Sequence, residues 1–140
     1  MSYLTIYSQE DAHALLIIGQ TREDHWLDFK SALGKDNAEN ARDIAQFANA
    51  SGGVLILGAE ENKQVLTGFT LVPDPPSTIT RIDDIVKGHL TPVPVFEPRA
   101  IEVETGKFIV AINIPPSLPL VARHEKHERF EFITRGHESK

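Results

Sequence analysis

The stretch Phe47–Glu61, FANASGGVLILGAEE, passes from small helix-forming residues through a glycine pair into an unbroken aliphatic run and out into acids. Upstream of it, Ala41, Ile44, Ala45 and Ala48 recur at helical spacing with Phe47 beside them, and Asp36-x-x-Glu39 has the form of a capping box ahead of that run. Gly52-Gly53 ends the helix, because glycine enters the left-handed region without a Cβ clash. Val54-Leu55-Ile56-Leu57 follows at once, as expected of a strand covered on both faces. Gly58–Lys63 is its polar exit, and Val65–Phe69 is the candidate hairpin partner.

Working outward, Trp26-Leu27-Asp28-Phe29-Lys30 alternates with period two. That puts Leu27 and Phe29 on an inner face and Trp26, Asp28 and Lys30 on a polar one. Tyr3–Tyr7 alternates weakly, as an edge strand would. Ser8 then precedes Gln9-Glu10-Asp11, an N-cap with first-turn acids, for a helix running to about Gly19. Pro73, Pro75 and Pro76 mark a loop, after which Ser77 is placed to cap a helix through Ile79, Ile82, Ile85 and Val86 to about His89. Pro92, Pro94 and Pro98 hold the next connection extended. Arg99–Glu104 and Lys107–Ile114 form a hairpin around Thr105-Gly106; Leu120–Arg123 and Arg129–Arg135 form a second one around a charged turn. About three helices and six or seven strands in mixed order predict an α+β fold, a mixed α/β arrangement in one domain spanning residues 1–140, with residues 1–22 as an N-terminal strand and helix.

Composition narrows the function. The 140 residues are 41% apolar and 24% charged, so a core forms without staples. With no cysteine, disulfides, zinc ribbons, iron–sulfur clusters and thiol catalysis are excluded. The apolar runs, Leu15–Ile18 and Val54–Leu57 among them, are too short to span a bilayer, and the start lacks a secretory pattern, so a cytoplasmic location with no membrane partner is expected. A net charge of −6 argues against a protein that coats polyanions over its whole surface. Residues 123–140, however, carry five Lys/Arg against four Glu, so a nucleic-acid contact would be local or helped by a cation.

No phosphate loop, GxGxxG, GxSxG or HExxH signature occurs. Gly52-Gly53 follows a helix instead of opening one and reads as a tight turn. His124-Glu125-Lys126-His127 offers two imidazoles without a nearby third ligand and reads as a solvated hairpin tip.

Three pieces nevertheless combine: Glu23 with Leu27-Asp28-Phe29-Lys30, the Ile44–Glu60 segment, and Phe132-Ile133-Thr134-Arg135-Gly136. Together, and in this order, they resemble the Schlafen AlbA-like domain family, also described as a divergent AAA-associated, DNA-binding domain. The resemblance runs from about Glu23 to Gly136, and Pro119 also falls where such domains usually have a proline. It implies a mixed α/β domain that binds nucleic acid, DNA or RNA, often at the front of bacterial transcriptional regulators. In the vertebrate branch it implies an endonuclease on structured RNA with a three-carboxylate divalent-metal site. Carried over by position, those carboxylates are Glu23, Asp28 and Glu60, holding Mg²⁺ or Mn²⁺ and lowering the pKa of a bound water. Asp28 stands where that pattern has Glu, and Glu60 where it commonly has Asp. Each swap moves a carboxylate by roughly 1.5 Å.

Three functions therefore stand side by side. The first is a nucleic-acid-binding module of regulatory type that requires no cofactor and contacts phosphate through Lys30, Arg123, Lys126, Arg129 and Arg135, with Glu125, Glu128 and Glu131 as competing internal partners. The second is a metal-dependent endoribonuclease using Glu23, Asp28 and Glu60. The third is a protein-interaction or assembly module, which the net negative charge suits; a homo-oligomer is left open. The first two require the acids and the last hairpin to meet on one concave surface. Trp26 is a candidate for stacking on a base, or for packing under a helix.

Overall fold

The computed structural model describes residues 5–17, 27–50, 52–63, 65–117, 120–125 and 129–132. Along these the chain runs α1 (Gln9–Ile17), β1 (Leu27–Lys30), α2 (Asn37–Ala48), β2 (Gly53–Leu57), β3 (Ala59–Asn62), β4 (Val65–Phe69), α3 (Pro75–His89), β5 (Leu90–Thr91), β6 (Glu97–Glu104), β7 (Lys107–Ile114), β8 (Ala122–Glu125) and β9 (Arg129–Phe132). The class is α+β, as expected. The described strands fall into a four-stranded mixed sheet ordered β1-β2-β7-β6, a β3-β4 hairpin and a three-stranded β5-β8-β9 sheet. Among the described residues no helix is long and apolar enough to cross a membrane.

The aliphatic run of β2 lies second in the main sheet, parallel to β1 and antiparallel to β7. All five of its residues are buried because both faces are covered. Leu55 and Leu57 join α2, α3 and Val110, Ile112 and Ile114 of β7 in one cluster. Val54 and Ile56 join α1, Leu27 and Phe29 of β1, and β6 in the other. The sheet thus separates two apolar layers, and period two assigns alternate residues to each.

Asp36 caps α2, its Oδ1 accepting from Ala38 N at 2.9 Å and Glu39 N at 3.4 Å. At the other end Gly52 takes φ +82° and donates from its N–H to Phe47 O at 2.9 Å. A Cβ there would lie 2.7 Å from Ile114 O and 2.8 Å from Pro116 Cδ, so both conformation and space require glycine. Ser8 caps α1 reciprocally: its Oγ accepts from Asp11 N, and Asp11 Oδ2 accepts from Ser8 N.

Four local expectations change. The polar exit after β2 is itself a strand, β3, paired with the anticipated Val65–Phe69 partner, because its backbone groups find a ladder even where its side chains face water. Asp74, not Ser77, caps α3, with Pro75 and Pro76 in its first turn, where a missing N–H costs nothing. Pro98 lies inside β6, which tolerates it as an edge strand of the main sheet. Thr5–Tyr7 forms no strand; Ile6 instead pairs with a side chain of β7, its N–H donating to Asn113 Oδ1 at 2.7 Å. Residues 3, 4 and 19 and Trp26 lie outside the described residues.

Candidate functional site

Leu27 and Phe29 face the α1 side of the sheet, which leaves Asp28 and Lys30 on the α2 side of its exposed margin. Lys30 is opposite Leu57 in the parallel β1–β2 pair, so both strands finish together. Their exits are tied by Gly58, whose N–H donates to Lys30 O at 2.9 Å and to Ser31 O at 3.1 Å. Gly58 has φ +93°, and a Cβ there would crowd Val72 and Ile109 at 3.1 and 3.3 Å. This turn carries Glu60 to the same place as Lys30.

The result is a cleft of about 700 Å³ beyond the carboxyl ends of β1 and β2, the place where open sheets form sites. Its charged lining comprises Lys30 and Lys35 against Asp36, Glu39, Asp43, Glu60 and Glu61. The loop forming one wall is tied down at Gly34. Buried Asn40 accepts from Gly34 N at 3.2 Å and donates to Gly34 O at 2.9 Å. Arg81 of α3 donates to the same carbonyl and to Asn37 Oδ1.

Lys30 Nζ lies 3.3 Å from Asp43 Oδ2, with the two side chains 34% and 25% exposed. Burial pushes the Asp43 carboxyl above the usual carboxylate range; Lys30 pulls it back by charge and hydrogen bonding, while Asp28 and Glu39 push it further up. Asp43 is a charged residue of this site that motif and alternation did not single out, and Glu39 entered only as part of a capping box. The available signal was their i, i+4 spacing on the helix that follows the Asp28/Lys30 strand.

Of the predicted residues, Lys30 and Glu60 meet in this cleft. Asp28 is on the same strand face, near enough to act on Asp43, and its Oδ1 accepts from Phe29 N at 3.0 Å. Glu23 lies outside the described residues. Among the described residues no group of three or more acids or histidines able to hold a metal ion is found; the site expected from Glu23, Asp28 and Glu60 includes one residue outside that set.

Arg123 and Arg129 are on β8 and β9, while Lys126 and Arg135 lie outside the described residues. The register sets Arg123 opposite Glu131 and Arg129 opposite Glu125, so each arginine position has an acid across the ladder. The segment leading into this hairpin is anchored to the end of α2: Asn49 Oδ1 accepts from Val121 N at 2.7 Å and its Nδ2 donates to Val121 O at 2.8 Å. The cleft involves the first half of α2, from Asp36 to Asp43. The cleft thus takes the first half of this 12-residue helix, roughly 18 Å in length, and the backbone entering β8 is tied to the residue after its last turn.

Residues 23–140 match the family model described as Schlafen, AlbA_2. No curated protein matches the chain. Among solved structures, the N-terminal domain of a RecG-related protein from Nitrosomonas europaea is similar, with 16% identity and a TM-score of 0.59, over 96% of this chain and 93% of that domain. The DIP2311 protein from Corynebacterium diphtheriae is similar at 17% identity and a TM-score of 0.47; the match covers 88% of this chain and 24% of that protein. The chain thus corresponds to about a quarter of that protein's length. The RecG-related domain is a likeness in fold, and the family model, which spans most of the sequence, places this protein in the Schlafen AlbA_2 family.

Proposed function

We propose that this domain binds nucleic acid, DNA or RNA, as a DNA-binding or transcription-regulatory module. The family match over residues 23–140 carries the proposal. The likeness in fold to a domain from a protein named for its relation to the DNA helicase RecG agrees with it. Lys30 and Lys35 in the cleft, and Arg123 and Arg129 on the last hairpin, are the phosphate-contacting groups, joined by Lys126 and Arg135. With a net charge of −6 the attraction is local, which gives modest affinity and a strong dependence on salt.

Fluorescence anisotropy with labelled duplex DNA and stem-loop RNA, from about 50 to 200 mM salt, tests the proposal. Affinity is expected to fall linearly on a log–log plot as salt rises, and Arg123→Gln/Arg129→Gln to weaken binding, with thermal melting showing that the variant is folded. Absence of binding to either probe at the lowest salt overturns it.

A further inference from the structure

Lys30 is the cleft cation whose ammonium already has a carboxylate beside it. Asp43 reaches it from α2, across the gap between helix and sheet margin, at 3.3 Å. Carboxylate and phosphate oxygens are equivalent partners for an ammonium group: both are hard anionic acceptors, and lysine binds either as a point charge.

We infer that Asp43 is an internal competitor for the nucleic-acid phosphate, its carboxylate resting on Lys30 in the free domain where a phosphate oxygen rests in the complex. This deepens the nucleic-acid reading above and rests on it. Three observations support the exchange. The Lys30 side chain is 34% exposed and lines a cleft wide enough to admit a phosphodiester, so a ligand can approach the ammonium without unfolding anything. Ser31 and Lys35 line the same cleft and offer a hydroxyl and a second cation to that phosphate. The Asp43 side chain is three-quarters covered and has Asp28 and Glu39 as like-charged neighbours, so its attachment to Lys30 is opposed by lost hydration and by repulsion. Asp36, Glu39, Glu60 and Glu61 repel a polyanion from elsewhere on the lining, but Asp43 is the acid that holds the lysine.

The test compares the parent protein, Asp43→Asn, Lys30→Met and the double variant by anisotropy on duplex DNA and stem-loop RNA. Asp43→Asn is expected to bind about three- to tenfold more tightly at 50 mM salt, because Lys30 no longer leaves a carboxylate to reach the phosphate. The gain should vanish in the double variant, since it acts through Lys30. Thermal melting reports whether each variant is folded, and Asp43→Ser replaces the asparagine if that protein does not fold. A parent that binds, with folded Asp43→Asn binding no more tightly or with the double variant keeping the gain, overturns the inference and leaves the nucleic-acid reading standing. If neither the parent nor Asp43→Asn binds either probe, both fall together.

Discussion

Asn49, the residue after α2, holds both backbone groups of Val121 with its side-chain amide, accepting from the N–H at 2.7 Å and donating to the C=O at 2.8 Å. The carboxamide acts as one rung of a β-ladder between a helix end and a strand entry 72 residues away. Asn40 does the same for Gly34, and Asn113 for Ile6. In each case an irregular segment gains paired backbone groups without a neighbouring strand.

Asn49→Ala leaves the Val121 N–H and C=O without these partners beneath a buried residue, and is expected to destabilise the domain by about 2–3 kcal/mol. Urea unfolding measures the loss. Amide hydrogen exchange should show Val121 losing protection, a local effect that a general loss of stability does not produce. Unchanged protection at Val121 removes Asn49 as the anchor of the last hairpin.

The loop beside the cleft allows a buried tie to be compared with an exposed one. Asn40 is 3% exposed, whereas the Arg81 bonds to Gly34 and Asn37 lie at the surface. Asn40→Ala should cost about 2 kcal/mol and Arg81→Ala about 0.5–1, because water replaces only the exposed partner. Equal losses in chemical denaturation contradict this account of the loop.

Two glycines separate conformational need from propensity. Gly52→Ala meets Ile114 O at 2.7 Å in a left-handed backbone and should cost more than about 2 kcal/mol. Gly88, near the end of α3, has nothing within 4 Å of an added Cβ, so Gly88→Ala should gain up to about 1 kcal/mol by restricting the unfolded chain. Melting temperatures moving in the same direction for both refute the distinction.

Asp43 makes stability depend on pH in a definite sense. Its folded pKa lies above the ordinary 3.8, chiefly through burial, so between the two values the native state binds more protons than the unfolded chain. The stabilisation is complete below the ordinary value and is lost as pH rises through the raised one. Asparagine resembles the protonated acid at every pH. The stability of Asp43→Asn relative to the parent should therefore be lowest in acid and increase toward neutrality, as read by urea titrations across that range. A difference that is flat, or that runs the other way, disproves the burial effect.

Much of this architecture is local in origin. The capping acid at Asp36, the helical spacing of Ala41, Ile44, Ala45 and Ala48, the glycine pair and the aliphatic run each act within a few residues, and α2 and β2 appear where they indicate. Hairpin β6–β7 likewise follows from Thr105-Gly106 between two strand-forming runs, with Gly106 at φ +74°. β3 carries little local signal, because its acids face solvent and only the β4 ladder makes it a strand.

The sequence alone determined α2, β2 and the β6–β7 hairpin, the two-sided burial of Val54–Leu57 and the inward faces of Leu27 and Phe29, since periodicity and backbone sterics operate over one or two turns of chain. Tertiary structure decided which charges meet. The contact between Lys30 and Asp43 depends on how α2 lies across the end of β1, and the Asn49–Val121 and Asn113–Ile6 pairs join residues 72 and 107 positions apart. A single carboxylate or carboxamide carries no sign of such a partner, because a side chain's hydrogen bond is chosen by whatever the packed layers bring within 3 Å.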